Sequence, residues 1–156
     1  MLDLILALSS GIIGSLIVAI LPRANSRLRN LVVLIFSVSG MVFSWRVGGR
    51  VFAGESMGLS SDIGGLPWSL DPDPLGAIFG LIASTLWLFA TIYSFGYMAG
   101  KDNERTYYTF LLMSFSITLG VAFSGNLLAL YLFYELLTFA TYPLVIHERS
   151  PEAVKA

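Results

Sequence analysis

NLLALYLFYELLTFATYPLVI, from Asn126 to Ile146, is the stretch that decides how the rest of the chain is read. It is apolar over the roughly 20 residues that a helix needs to cross a bilayer at about 1.5 Å per residue. Near its middle stands a carboxylate, Glu135. An ionised acid at that depth costs on the order of 2.5–3.5 kcal/mol on insertion scales, so such residues are rare and face a bundle interior or a wet cavity. At 100° per residue, Tyr131, Thr138 and Tyr142 fall on the same side of the helix as Glu135, while Leu127, Leu130, Phe133 and Leu137 lie off that stripe. A strip of hydroxyls with an acid at its centre suits a protein-lined polar path better than a lipid-facing surface.

The composition agrees with a membrane setting. Of 156 residues 56% are hydrophobic and 12% charged, against about 25% charged in soluble domains. The chain is therefore expected to be an all-α integral membrane protein forming one membrane domain over residues 1–156. Five spans are expected, over residues 2–21, 31–47, 75–98, 107–123 and 126–146. A net charge of −1, with no basic patch interleaved with aromatics, gives no reason to expect nucleic-acid binding. With no cysteine there is no disulfide, no iron–sulfur cluster bound by this chain and no thiolate zinc site. The sequence has no phosphate-cradling glycine loop, no histidine pair at metal spacing and no nucleophile elbow. No cofactor, metal site or catalytic centre is expected in it, and an enzymatic role would be that of a subunit in a larger redox-driven pump.

The first span is closed by Pro22 and followed by Arg23, Arg27 and Arg29. Asp3 stands where a cleavable signal peptide would carry a basic residue, and the apolar run exceeds a signal core, so a retained span is the better reading. Ser10 and Gly14, and Gly11 and Ser15, are spaced to let another helix approach closely. The second span ends in Trp45 and Arg46, a pair suited to the membrane interface. From Gly48 to Pro74, glycines and prolines are expected to break any helix. Within that connection Met57–Leu59 and Leu66–Leu70, split by Ser60–Gly65, suggest a small β-hairpin. Its acids Glu55, Asp62, Asp71 and Asp73 lack calcium-loop spacing and are read as a solvated loop rather than a cation site. Gly80, Ser84 and Thr91 share one face of the third span, and Ser124 to Asn126 is a tight reversal that makes the last two spans antiparallel neighbours.

Basic residues orient the bundle. One side receives Arg23, Arg27, Arg29, Lys101, Arg105, Arg149 and Lys155, the other Arg46 and Arg50. The positive-inside rule places the N-terminus and the long connection outside and the C-terminus in the cytoplasm of a plasma-membrane protein. His147 then lies at the cytoplasmic mouth of the fifth span, as a solvated anchor or as a proton relay.

A buried acid has its charged form disfavoured, so it takes up and releases a proton as its surroundings change. That is the minimum unit of proton translocation. The competing reading keeps Glu135 permanently protonated as a hydrogen-bonding contact between helices, in a subunit that only packs and seals a complex.

The run from Ser124 to Thr138, SGNLLALYLFYELLT, continued by Tyr142 to Ile146, resembles the fifth helix of the antiporter-like proton-conducting subunits found in respiratory complex I, membrane-bound hydrogenases and Mrp cation/proton antiporters. Asp73 to Gly76 and Tyr93 to Met98 match the ends of that family's third helix, and the closing HERSPEA is most similar to the antiporter and hydrogenase branch. The resemblance implies that Glu135 occupies the position of a glutamate that pairs with a lysine on a later, broken helix and takes part in proton transfer. It also implies about fourteen spans built on two inverted repeats, of which the five here reach only the second helix of the first. No lysine lies within the five spans. The expectation is thus a membrane-arm subunit of a multisubunit ion-translocating complex, working beside other membrane subunits, with the lysine supplied by a companion chain.

Overall fold

A computed structural model describes residues 1–22, 26–101 and 103–145, with Ile63 described by its backbone only. The apolar runs become five helices: α1 (Leu2–Ile20), α2 (Ser26–Phe52), α3 (Pro74–Tyr97), α4 (Glu104–Ala122) and α5 (Leu127–Val145). Between α2 and α3 lies a two-stranded antiparallel hairpin, β1 (Leu59–Ile63) and β2 (Leu66–Leu70). Asp73 starts α3 by accepting the Gly76 N–H at 2.6 Å, with Pro74 at the first helical position where no donor is needed.

The core is organised about α4, which packs against each of the other helices, while α5 rests on α4 and β2. Helices α1, α2, α3 and α5 are each long and apolar enough to cross a membrane. Helix α4 has 19 residues but is less apolar, because its Ser114, Ser116, Thr118 and Gly120 face protein. Phe115, Leu112 and Leu119 fill its contacts with the first three helices, and the Trp87 ring stacks 5.9 Å from Phe115 while donating to the Leu111 carbonyl at 3.1 Å. The small residues of α1 act as expected: a side chain at Gly11 would strike the Leu112 carbonyl, and Ser116 donates to the Leu8 carbonyl at 2.6 Å. On α3, Gly80, Ser84 and Thr91 are all buried, Gly80 beneath the Phe123 ring and Thr91 3.3 Å from Ser37 on α2.

Two expectations need correction. Helix α2 does not stop at Val47 but runs through Gly48 and Gly49 to Phe52, and it begins at Ser26 rather than Leu31. An interior glycine costs about 1 kcal/mol in water. Against that, unsatisfied backbone groups near the bilayer cost several kcal/mol, and Gly48 admits Leu81 of α3, whose carbons would lie 3.1 Å from an added Cβ. The hairpin exists, but Ser60 to Ile63 belong to its first strand, since Gly64 and Gly65, at φ 62° and 86°, make the whole turn.

The connections sort to two ends of the bundle. At one end lie Asp3, Arg46, Arg50, the hairpin and the Ser124–Asn126 reversal; at the other lie Arg29, Tyr97 and Glu104. The chain is a multi-pass membrane protein.

Candidate functional site

Helix α5 is held to α4 along one face. Ala129 and Ala140 are buried there, and Phe133 seats its ring at Gly120, where any side chain would overlap it. At 100° per residue these positions fall between 120° and 180° from Glu135, so the acid points away from the packed face. Glu135 is half-buried, at the ninth position of the 19-residue helix, close to its midpoint. Tyr131 and Tyr142 beside it are 60% and 63% exposed, and Thr138 is exposed too. The Thr138 hydroxyl donates to the Tyr134 carbonyl at 3.2 Å and Thr141 to the Leu137 carbonyl at 2.8 Å, so these side chains are tied back to their own helix. Among the described residues no ion pair reaches Glu135. The whole stripe of Tyr131, Glu135, Thr138 and Tyr142 therefore lies on a surface that this chain leaves open. His147 lies outside the described residues.

The structure also contains two charge clusters that sequence reasoning missed. Arg29 of α2 is paired with Glu104 of α4, the side chains only 7% and 15% exposed. Glu104 also accepts the Gly100 N–H at 2.8 Å, the Arg29 guanidinium lies 5.2 Å from the centre of the Tyr108 ring, and the Tyr108 hydroxyl donates to the Ser94 carbonyl at 3.0 Å. At the other end Asp3, 5% exposed, receives Arg46 and Arg50, each at 3.2 Å. Arg46 was expected as an interfacial anchor, and it is also one jaw of this clamp. Arg46 and Arg50 fall one turn apart on one helix only because α2 continues through Gly48 and Gly49, which the expected end at Val47 hid. The loop acids have local work, Asp73 as a cap, Asp62 accepting the Gly65 N–H at 2.6 Å, and Glu55 beside Arg50 at 3.9 Å.

Residues 61–111 match the family model described as "NADH-Ubiquinone oxidoreductase (complex I), chain 5 N-terminus". The Na(+)/H(+) antiporter subunit A1 of Staphylococcus aureus strain JH9 is 34% identical over 89 residues, 57% of this chain and 11% of that protein, and the subunit of strain Newman matches equally. A chain in the structure of the membrane-bound sulfane sulfur reductase, an archaeal respiratory membrane complex, superposes with a TM-score of 0.77 at 25% identity, over 92% of this chain and 23% of that one. In sequence the chain is similar, over 89 residues, to part of a Na(+)/H(+) antiporter subunit, and in fold to part of a chain of a respiratory membrane complex. It spans about a tenth of the length of the curated antiporter-like relatives and under a quarter of the solved one.

Proposed function

We propose that this chain is a membrane-arm subunit of a multisubunit ion-translocating complex, in which Glu135 is a proton-carrying acid of an antiporter-like pathway. The observation that carries the reading is the open polar face of α5, with an acid at mid-helix and three hydroxyl side chains along it, in a chain similar to an antiporter subunit and to a respiratory-complex subunit. Such a face is costly against lipid and suits a protein-lined, hydrated path. A companion chain laid over α5 supplies the cation that no described residue of this chain brings to Glu135, a lysine within the membrane. Tyr131, Thr138 and Tyr142 border the path, and His147 receives protons at its cytoplasmic mouth. The N-terminus and hairpin lie outside, because among the described residues the hairpin end carries two basic side chains near the spans, Arg46 and Arg50, while Arg27, Arg29, Lys101 and Arg105 stand at the other.

A proton crossing 100 mV gains or loses about 2.3 kcal/mol, equivalent to fewer than two pKa units at about 1.36 kcal/mol each. A modest change in the surroundings of one carboxyl group is thus large enough to couple to the membrane potential. One observation favours the rival reading of a packing subunit with Glu135 permanently protonated: no cation of this chain faces it among the described residues. Ion pumping by the assembled complex carrying Glu135→Gln separates the two. The substitution keeps size and hydrogen bonding and removes titration; it is expected to stop pumping, and unchanged pumping would leave the structural role.

A further inference from the structure

Asn126 stands where the hairpin meets the helix that carries Glu135, and its side chain is engaged in both directions. Its Oδ1 accepts the Ala129 N–H at 2.9 Å, closing the first turn of α5. Its Nδ2 donates to the Pro67 carbonyl of β2 at 2.8 Å. Capping needs only an acceptor, which serine or aspartate also supplies. The bond to the hairpin needs a donor on a separate atom of the same side chain, which the amide provides.

Backbone bonds tie the end of the hairpin to the reversal that leads from α4 into α5: the Gly125 N–H donates to the Ser69 carbonyl at 2.9 Å and the Asp71 N–H to the Phe123 carbonyl at 3.0 Å. One step deeper, the Trp68 ring of β2 lies 6.4 Å from the Phe133 ring. Phe133 is in turn seated at Gly120 and precedes Glu135 by two residues. The hairpin thus grips α5 at its end and again below it.

We infer that Asn126 is a positioning residue, through which the hairpin sets the rotation and depth of α5 and so the setting of Glu135, about 13 Å farther along the helix. This rests on the proposed role of Glu135. A helix bonded at one end and packed against the Trp68 ring about two turns deeper moves with its clamp, so a contact made on the hairpin outside the membrane reaches the acid within it.

The test uses Asn126→Asp and Asn126→Ser in the assembled complex, both of which keep a cap acceptor and lose the amide donor. Hydrogen exchange at the Gly125 and Asp71 amides is expected to rise at least about tenfold. The pH profile of ion transport is expected to shift by at least about half a unit. A pure cap predicts otherwise: Asn126→Asp and Asn126→Ser would match the unaltered complex in both readouts while only Asn126→Ala is impaired, and that result overturns the inference. Faster exchange with an unmoved pH profile overturns it as well. Should these variants fail to assemble, Trp68→Leu loosens the grip at the ring contact and is read in the same two ways. Glu135→Gln, measured alongside, keeps the claims apart. If it transports normally the proton-pathway reading falls, and the exchange data then judge the tether by themselves, unchanged exchange in Asn126→Asp refuting it.

Discussion

Gly120→Ala drives a methyl group into the Phe133 ring, and its consequence follows from the geometry. The new Cβ would lie 2.7 Å from Phe133 Cγ and closer still to two other ring carbons. Carbon atoms rest about 3.5–4.0 Å apart, so the ring must retreat by about 1 Å. The Trp68 ring neighbours it at 6.4 Å between ring centres, so the retreat disturbs that contact as well. Overpacking of this kind costs about 1–3 kcal/mol. Phe133→Ala loses the ring's contacts, at less than the 3–5 kcal/mol of a fully buried phenylalanine because the side chain is only half-buried. In the double variant the methyl occupies space the ring has left, so the two costs are expected to fall short of their sum by at least about 1 kcal/mol. Detergent-driven unfolding of the assembled complex in mixed micelles, run as a double-mutant cycle, measures this coupling. Additivity to within about 0.5 kcal/mol would refute the claim that α5 is seated through this contact.

Three further outcomes are expected. Arg29→Gln or Glu104→Gln alone strands a buried charge and costs about 3–5 kcal/mol in the same unfolding assay, whereas the double substitution recovers most of the loss. Asp3→Asn costs only about 1 kcal/mol, because Arg46 and Arg50 are 56% and 41% exposed and rehydrate, and the loss shrinks as salt is raised. Gly65→Val, at φ 86°, costs about 1–2 kcal/mol and loosens the hairpin, seen as faster amide exchange across β1 and β2, while Gly64→Asn is tolerated because asparagine accepts the left-handed conformation.

Much of the fold was legible because length and hydropathy are strong signals in a membrane protein. The spans, the hairpin and the reversal at Ser124–Asn126 all follow from runs of apolar residues and the glycines between them. The extent of α2 was not, since the cost of glycine is judged in water while Gly48 sits where α3 makes close approach. Nor were the ion pairs, whose partners are far apart in sequence, as with the 75 residues between Arg29 and Glu104. At the site, the 100° periodicity put Tyr131, Glu135, Thr138 and Tyr142 on one stripe, and the helix presents them so. The double use of Asn126 was hidden, because a cap residue looks the same in sequence whether or not its amide reaches a hairpin.

The most direct test of the account is whether Glu135 changes protonation during turnover. Infrared difference spectra of the working complex, comparing the unaltered chain with Glu135→Gln, isolate the carboxyl signal of that side chain. The account predicts a carboxylic-acid band that rises and falls with turnover and vanishes in Glu135→Gln; a difference spectrum that is the same with and without the acid would contradict it.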